Sequence, residues 1–171
     1  PDMAALTQSG SVVLYLTDGV SLLDRSRKGL PERLAFELPD GTTGANQIWL
    51  GQLDDTNQAP DVLAATDSGI FMLRDFNPET REFAASATKV VDIGGDPISS
   101  LVVTDLDGRG SKEIVIGCDV QACIIILALN EAGVFQRELT LDVPSASLLR
   151  AHDLDGDDFP DLIGGGANAF W

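Results

Sequence analysis

Residues 99–119, SSLVVTDLDGRGSKEIVIGCD, recur as SLLRAHDLDGDDFPDLIGGG at 147–166, displaced by 48 positions. A third, weaker copy, NQIWLGQLDDTNQAPDVLAATDSG at 46–69, carries one extra residue in its turn. Self-similarity at this period limits the fold more than any single motif does. Each unit is one supersecondary element that hides its apolar face only against its neighbours.

The pattern within a unit is strand-like throughout. After the second acidic turn come EIVIGC, CIIILAL, the polar tip NEAG, VFQRELTLDV, and then SASLLRAHD leading into the next turn. After the first come DVLAAT, IFMLRDF, the tip NPET, REFAASATKVV and ISSLVVTD. Short apolar runs rich in β-branched residues, separated by Gly, Asn, Asp and Pro, predict strands, and no segment carries a helical period. The expected fold class is all-β: about three four-stranded antiparallel units of the kind that form β-propeller blades.

The opening stretch LTQSGSVVLYLTDG matches AATDSGIFMLRD, and GGGANAFW stops at the same hairpin, which gives units of 10–69, 69–121 and 121–168. Closed propellers use roughly four to eight blades. Three units therefore predict either a segment of a larger ring or completion by other copies of the chain, whose sheet edges and apolar faces would otherwise be exposed.

Charge narrows the partners. Eleven Lys and Arg against 27 Asp and Glu leave a formal net charge of −16 over 171 residues, with no basic patch, so a nucleic acid is excluded as partner. No apolar run approaches the roughly 18 residues of a membrane span. Twenty of the acids are Asp and seven Glu, and many sit in turns beside Gly. Asp in that setting suits turns and oxygen-rich metal loops.

The third turn, HDLDGDDFPDL at 152–162, places Asp at 153, 155, 157, 158 and 161. Carboxylates this close repel one another unless the turn is fully solvated or holds a cation. In an alternating loop, side chains at positions 1, 3, 5 and 9 and the main-chain carbonyl at 7 face inward, and calcium takes six to eight oxygens at about 2.3–2.6 Å. The corresponding residues are Asp153, Asp155, Asp157, Phe159 through its carbonyl, and Asp161, with Gly156 permitting the bend. Magnesium fits less well, because it keeps several waters and strict octahedral geometry.

On these residues the units resemble the FG-GAP and VCBS repeats of integrin-α-like propellers, whose blades carry an acidic calcium loop between two strands. Asp158 departs from that pattern, standing where the family has Gly, and so must adopt a left-handed backbone. The resemblance implies a secreted, cell-surface or periplasmic calcium-binding propeller that meets a protein or glycan ligand. It does not by itself imply a reaction.

The second turn, DLDGRGSKE, offers Asp105, Asp107, the Ser111 carbonyl and Glu113, but Arg109 replaces the third inward carboxylate. A guanidinium there can pair with its neighbours and stand in for the metal. The first turn has only Asp54, Asp55 and Asp61 around its insertion. Cys118 and Cys123 bracket a hairpin and are read either as a small disulfide or as two reduced apolar fillers.

Catalytic signatures are scarce. His152 is the only histidine and reads as a strand end, Gly164, Gly165 and Gly166 as close packing within a strand, and Trp49 and Trp171 as core or inter-blade residues. A non-enzymatic binding or structural module is the expectation. The alternative is a scaffold segment of a secreted propeller enzyme whose catalytic residues lie outside this chain.

Overall fold

A computed structural model of the chain describes residues 3–16, 32–39, 42, 44, 46–54, 59–93, 97–118, 120–144, 146–166 and 169–170. Residues 19–26 (GVSLLDRS), read from the sequence as a further strand of the first unit, Asp55 of the first turn, and Trp171 lie outside the described residues.

Among the described residues the fold is all-β, with no helix, and so none long and apolar enough to cross a membrane. The first sheet joins β1 (Met3–Leu6), β2 (Ser11–Leu16) and β3 (Glu32–Glu37). The second joins β4 (Gln47–Gly51), β5 (Asp61–Thr66), β6 (Gly69–Leu73) and β7 (Thr88–Val91). The third joins β8 (Ile98–Thr104), β9 (Glu113–Cys118), β10 (Cys123–Leu129) and β11 (Phe135–Asp142). The fourth joins β12 (Leu148–His152), β13 (Asp161–Gly166) and β14 (Ala169–Phe170). Strands follow one another in chain order and pair antiparallel throughout.

The sequence repeats and the sheets are out of phase. The unit 69–121 contributes β6 and β7 to the second sheet and β8 and β9 to the third, so its four strands are split between two neighbours. The result is two four-stranded and two three-stranded sheets rather than three four-stranded ones. The acidic turns close hairpins within a sheet (β4–β5, β8–β9, β12–β13), whereas the connections β7–β8 and β11–β12 cross between sheets. In the stretch expected to be one long strand at 81–91, only Thr88–Val91 pairs; Phe83 instead packs its ring against Phe36 at 4.8 Å and Phe76 at 5.2 Å.

The sheets stack in order because the inner strands are apolar on both faces. Val62 and Ala64 of β5 join a core with Val12 and Leu14 of β2, while Leu63 and Ala65 face Ile114 and Ile116 of β9. Likewise Ile125 and Leu127 of β10 face the second sheet, and Ile124 and Ile126 face Leu149 of β12. At about 1.5–3 kcal/mol per fully buried large aliphatic side chain, this alternation is the main stabilising term of the stack.

Polar side chains tie the leading strands together. Gln47 of β4 donates to the Ser99 carbonyl (2.8 Å) and accepts from the Leu101 N–H (2.9 Å), both on β8. The Ser100 hydroxyl accepts the Leu149 N–H of β12 (2.8 Å). Ser99 donates its hydroxyl toward the carbonyls of Gly117 and Ala146, each at 2.9 Å. The backbones approach closely there: a Cβ on Gly117 would lie 2.1 Å from the Ala146 oxygen.

Candidate metal centre

All three acidic turns are built on one hydrogen bond. In the second, third and fourth sheets the carboxylate that opens the second strand accepts the N–H of the residue two positions past the end of the first. Leu53 donates to Asp61 (3.0 Å), Leu106 to Glu113 (2.7 Å) and Leu154 to Asp161 (2.9 Å). The turn is thereby folded back so that its earlier acids face its last one.

In the second turn Asp105 accepts the N–H groups of Arg109 (3.2 Å) and Gly110 (2.9 Å), and Asp107 accepts that of Arg109 (3.0 Å). In the third turn Asp153 accepts from Gly156 (2.7 Å) and Asp158 (3.0 Å), and Asp155 from Asp157 (3.2 Å). Gly110 and Asp158, equivalent at the 48-residue offset, both have positive φ, +88° and +70°. Asp158 thus takes the left-handed conformation that its place in the turn requires.

Each of these two turns brings three carboxylates together. One oxygen from each of Asp105, Asp107 and Glu113 lies within 4.8 Å of the others, and the same holds for Asp153, Asp155 and Asp161. Either cluster can hold a metal ion. Asp157, the expected fifth-position ligand, stands outside its trio and accepts the N–H of Phe159 (2.9 Å). Phe159 and Ser111 occupy the seventh positions, from which the main-chain carbonyl is the expected ligand.

The two clusters differ in electrostatics. Glu113 is 6% exposed, and burial pushes its carboxyl above the ordinary 4.5, against the pull of the Leu106 N–H. Asp153 sits in the exposed turn, and the N–H groups of Gly156 and its neighbours hold it below the ordinary 3.8. Arg109 pairs with Asp107 (3.3 Å) but is 80% exposed, so its guanidinium stays in solvent rather than among the three carboxylates.

The first turn has a different solution, one that the sequence reading missed. Arg74, just past β6, pairs with Asp54 and places Nε 3.8 Å from Asp61. Asp61 also accepts the Asp75 N–H (2.9 Å), and burial raises its pKa against these partners. This turn therefore carries its own cation.

Register identifies the equivalent of Arg74 in the third sheet. Leu73 pairs with Val62, the residue after Asp61, and Leu127 pairs with Ile114, the residue after Glu113. The residue following Leu127 is Ala128. It lines a groove of about 550 Å³ with Asp107, Ser111 and Glu113, whose walls also include Arg109 and Arg137. Setting RDF at 74–76 beside ALN at 128–130 was the available signal.

The other singled-out residues have structural places. Cys118 and Cys123 are direct partners across the β9–β10 ladder, both buried, and both are thiols in this structure. His152 ends β12 opposite Asp161, Trp49 packs against the central core, and Gly164 and Gly165 are buried in β13. No family model, curated protein or solved structure matches the chain.

Proposed function

We propose that the chain is a run of β-propeller blades stiffened by calcium at its second and third acidic turns. It serves as a non-enzymatic binding or scaffolding module outside the cytoplasm, with a protein or glycan ligand. The observation that carries the calcium reading is the contrast between Arg74 and Ala128. The chain places a cation against the acids of its first turn, whereas at the equivalent point of the second it has a methyl group beside a buried carboxylate. Arg109 meets Asp107 only from the solvent side, and like charges gathered without an enclosed counter-charge are unfavourable; a hard divalent ion with oxygen ligands supplies one.

Stacking of consecutive sheets with β4, β8 and β12 bridged by Gln47 and Ser100 supports the blade reading. Further blades or further copies would complete the ring. Isothermal titration of the chelated protein with calcium tests the metal sites. Two equivalents bound, with a rise in melting temperature, are expected. No uptake, and no thermal shift at millimolar calcium, would remove the proposal.

A further inference from the structure

We infer that the second and third turns bind calcium cooperatively, coupled through the ring of Phe159 resting on Gly108. This rests on the calcium reading above and goes beyond it, because two independent sites would satisfy that reading equally well.

Phe159 belongs to the third turn, where Asp157 accepts its N–H at 2.9 Å and its carbonyl holds the seventh position. Its ring reaches out of that turn. A Cβ built on Gly108 would meet the Phe159 ring at 2.7 Å (Cε1), 3.4 Å (Cζ) and 3.6 Å (Cδ1). The ring edge therefore lies against the backbone of the second turn at Gly108, whose φ of +70° favours glycine and where a side chain would displace the ring. Gly108 follows Asp107, and the next N–H, that of Arg109, is held by both Asp105 and Asp107. The ring thus rests beside the peptide whose N–H is shared by two members of one trio, while its own main chain lies two residues before Asp161 of the other.

The ring is 46% exposed, so it is not a core residue placed by general packing. An ion in the third turn fixes the Phe159 peptide and with it the ring. An ion in the second turn fixes the backbone on which the ring lies. Each event orders a surface that the other must otherwise order, which gives positive coupling without any large movement. Turn one is joined to turn two differently, by the Lys112 N–H donating to the Leu53 carbonyl (2.8 Å), and carries the fixed cation Arg74. The coupled pair is therefore turns two and three alone.

The test is a calcium titration of the full chain followed by amide NMR, with Gly110 reporting turn two and Gly156 reporting turn three. Asp155→Asn disables turn three and should weaken calcium binding at turn two about fivefold, the lower end of ordinary coupling. Phe159→Ala, which keeps the carbonyl, should weaken turn two by the same factor, and adding Asp155→Asn to it should produce no further loss there. Phe159→Leu should fall between. Reciprocity requires Asp107→Asn to weaken turn three equally. Turn-two constants that agree within twofold across wild type, Asp155→Asn and Phe159→Ala overturn the coupling and leave the calcium sites standing. Signals from Gly110 and Gly156 that never respond to calcium overturn the sites and the coupling together.

Discussion

Arg74 and Ala128 occupy the same register point in successive sheets, each directly after the leucine that pairs with the residue following its turn's last acid. The first turn thereby receives a guanidinium against its buried carboxylates, whereas the second meets the guanidinium of Arg109 from the solvent side, at Asp107. A fixed cation needs no mass action, so the two turns should differ in their response to chelators.

Arg74→Ala leaves Asp54 and Asp61 buried without their guanidinium. Removing one partner of a buried pair costs about 3–5 kcal/mol, and Arg74 is a quarter exposed, so a loss of about 2–3 kcal/mol is expected. Urea denaturation should show the same loss with calcium and with EDTA. A loss confined to one condition would contradict the assignment.

Asp155→Asn should abolish one calcium equivalent while leaving the chelated protein as stable as wild type or slightly more so, because it removes one of several crowded like charges. At calcium 100-fold above the dissociation constant, a filled site contributes about 2.7 kcal/mol, and the variant forgoes one such increment. Paired thermal melts with and without calcium measure it.

The two sites should empty at different pH. Calcium requires ionised carboxylates; Glu113 is raised by burial, whereas Asp153 is held low by backbone N–H groups. Acidification should therefore release calcium from turn two before turn three. In the chelated protein the signs oppose. Glu113 favours the folded state fully below its unfolded value near 4.5, and that contribution fades as pH rises through its raised folded value. Asp153 contributes above about 3.8 and is lost as pH falls through its depressed value. Glu113→Gln should stabilise the chelated protein at neutral pH and abolish calcium at turn two.

Gly117→Ala should separate the third and fourth sheets, since the new methyl would lie 2.1 Å from the Ala146 carbonyl oxygen. Overpacking of this kind costs about 1–3 kcal/mol. Hydrogen exchange should show faster opening at Leu149, whose N–H is held by Ser100 across the same joint. Unchanged protection there would count against the close approach.

Much of the architecture was legible because strand formation in this chain is local. DVLAAT, EIVIGC and CIIILAL are strands over the residues expected, since each is bounded by turn residues and filled with apolar ones. The partition into sheets was not legible. A repeat can be cut at any point of its period, and only hydrogen bonding shows that β7 and β8, consecutive in one sequence unit, belong to different sheets. In the turns, the Asp153, Asp155 and Asp161 trio follows from alternation, whereas Asp157 is drawn off by the Phe159 N–H. Arg74 escaped notice because it is 20 residues from Asp54 and reaches it only through the β5–β6 hairpin.

The double-sided apolarity of the inner strands has a consequence for folding. In a one-sided sheet, slipping a strand by one residue drives its oily side chains into water and is rejected at once. For β5 or β9 the same slip would merely exchange Val62 for Leu63, or Ile114 for Val115, between two dry compartments. Burial alone is nearly blind to that error. Fidelity of alignment in this protein must rest on the sparse polar stitches, Gln47 to β8 and Ser100 to β12, and on the carboxylate that closes each turn.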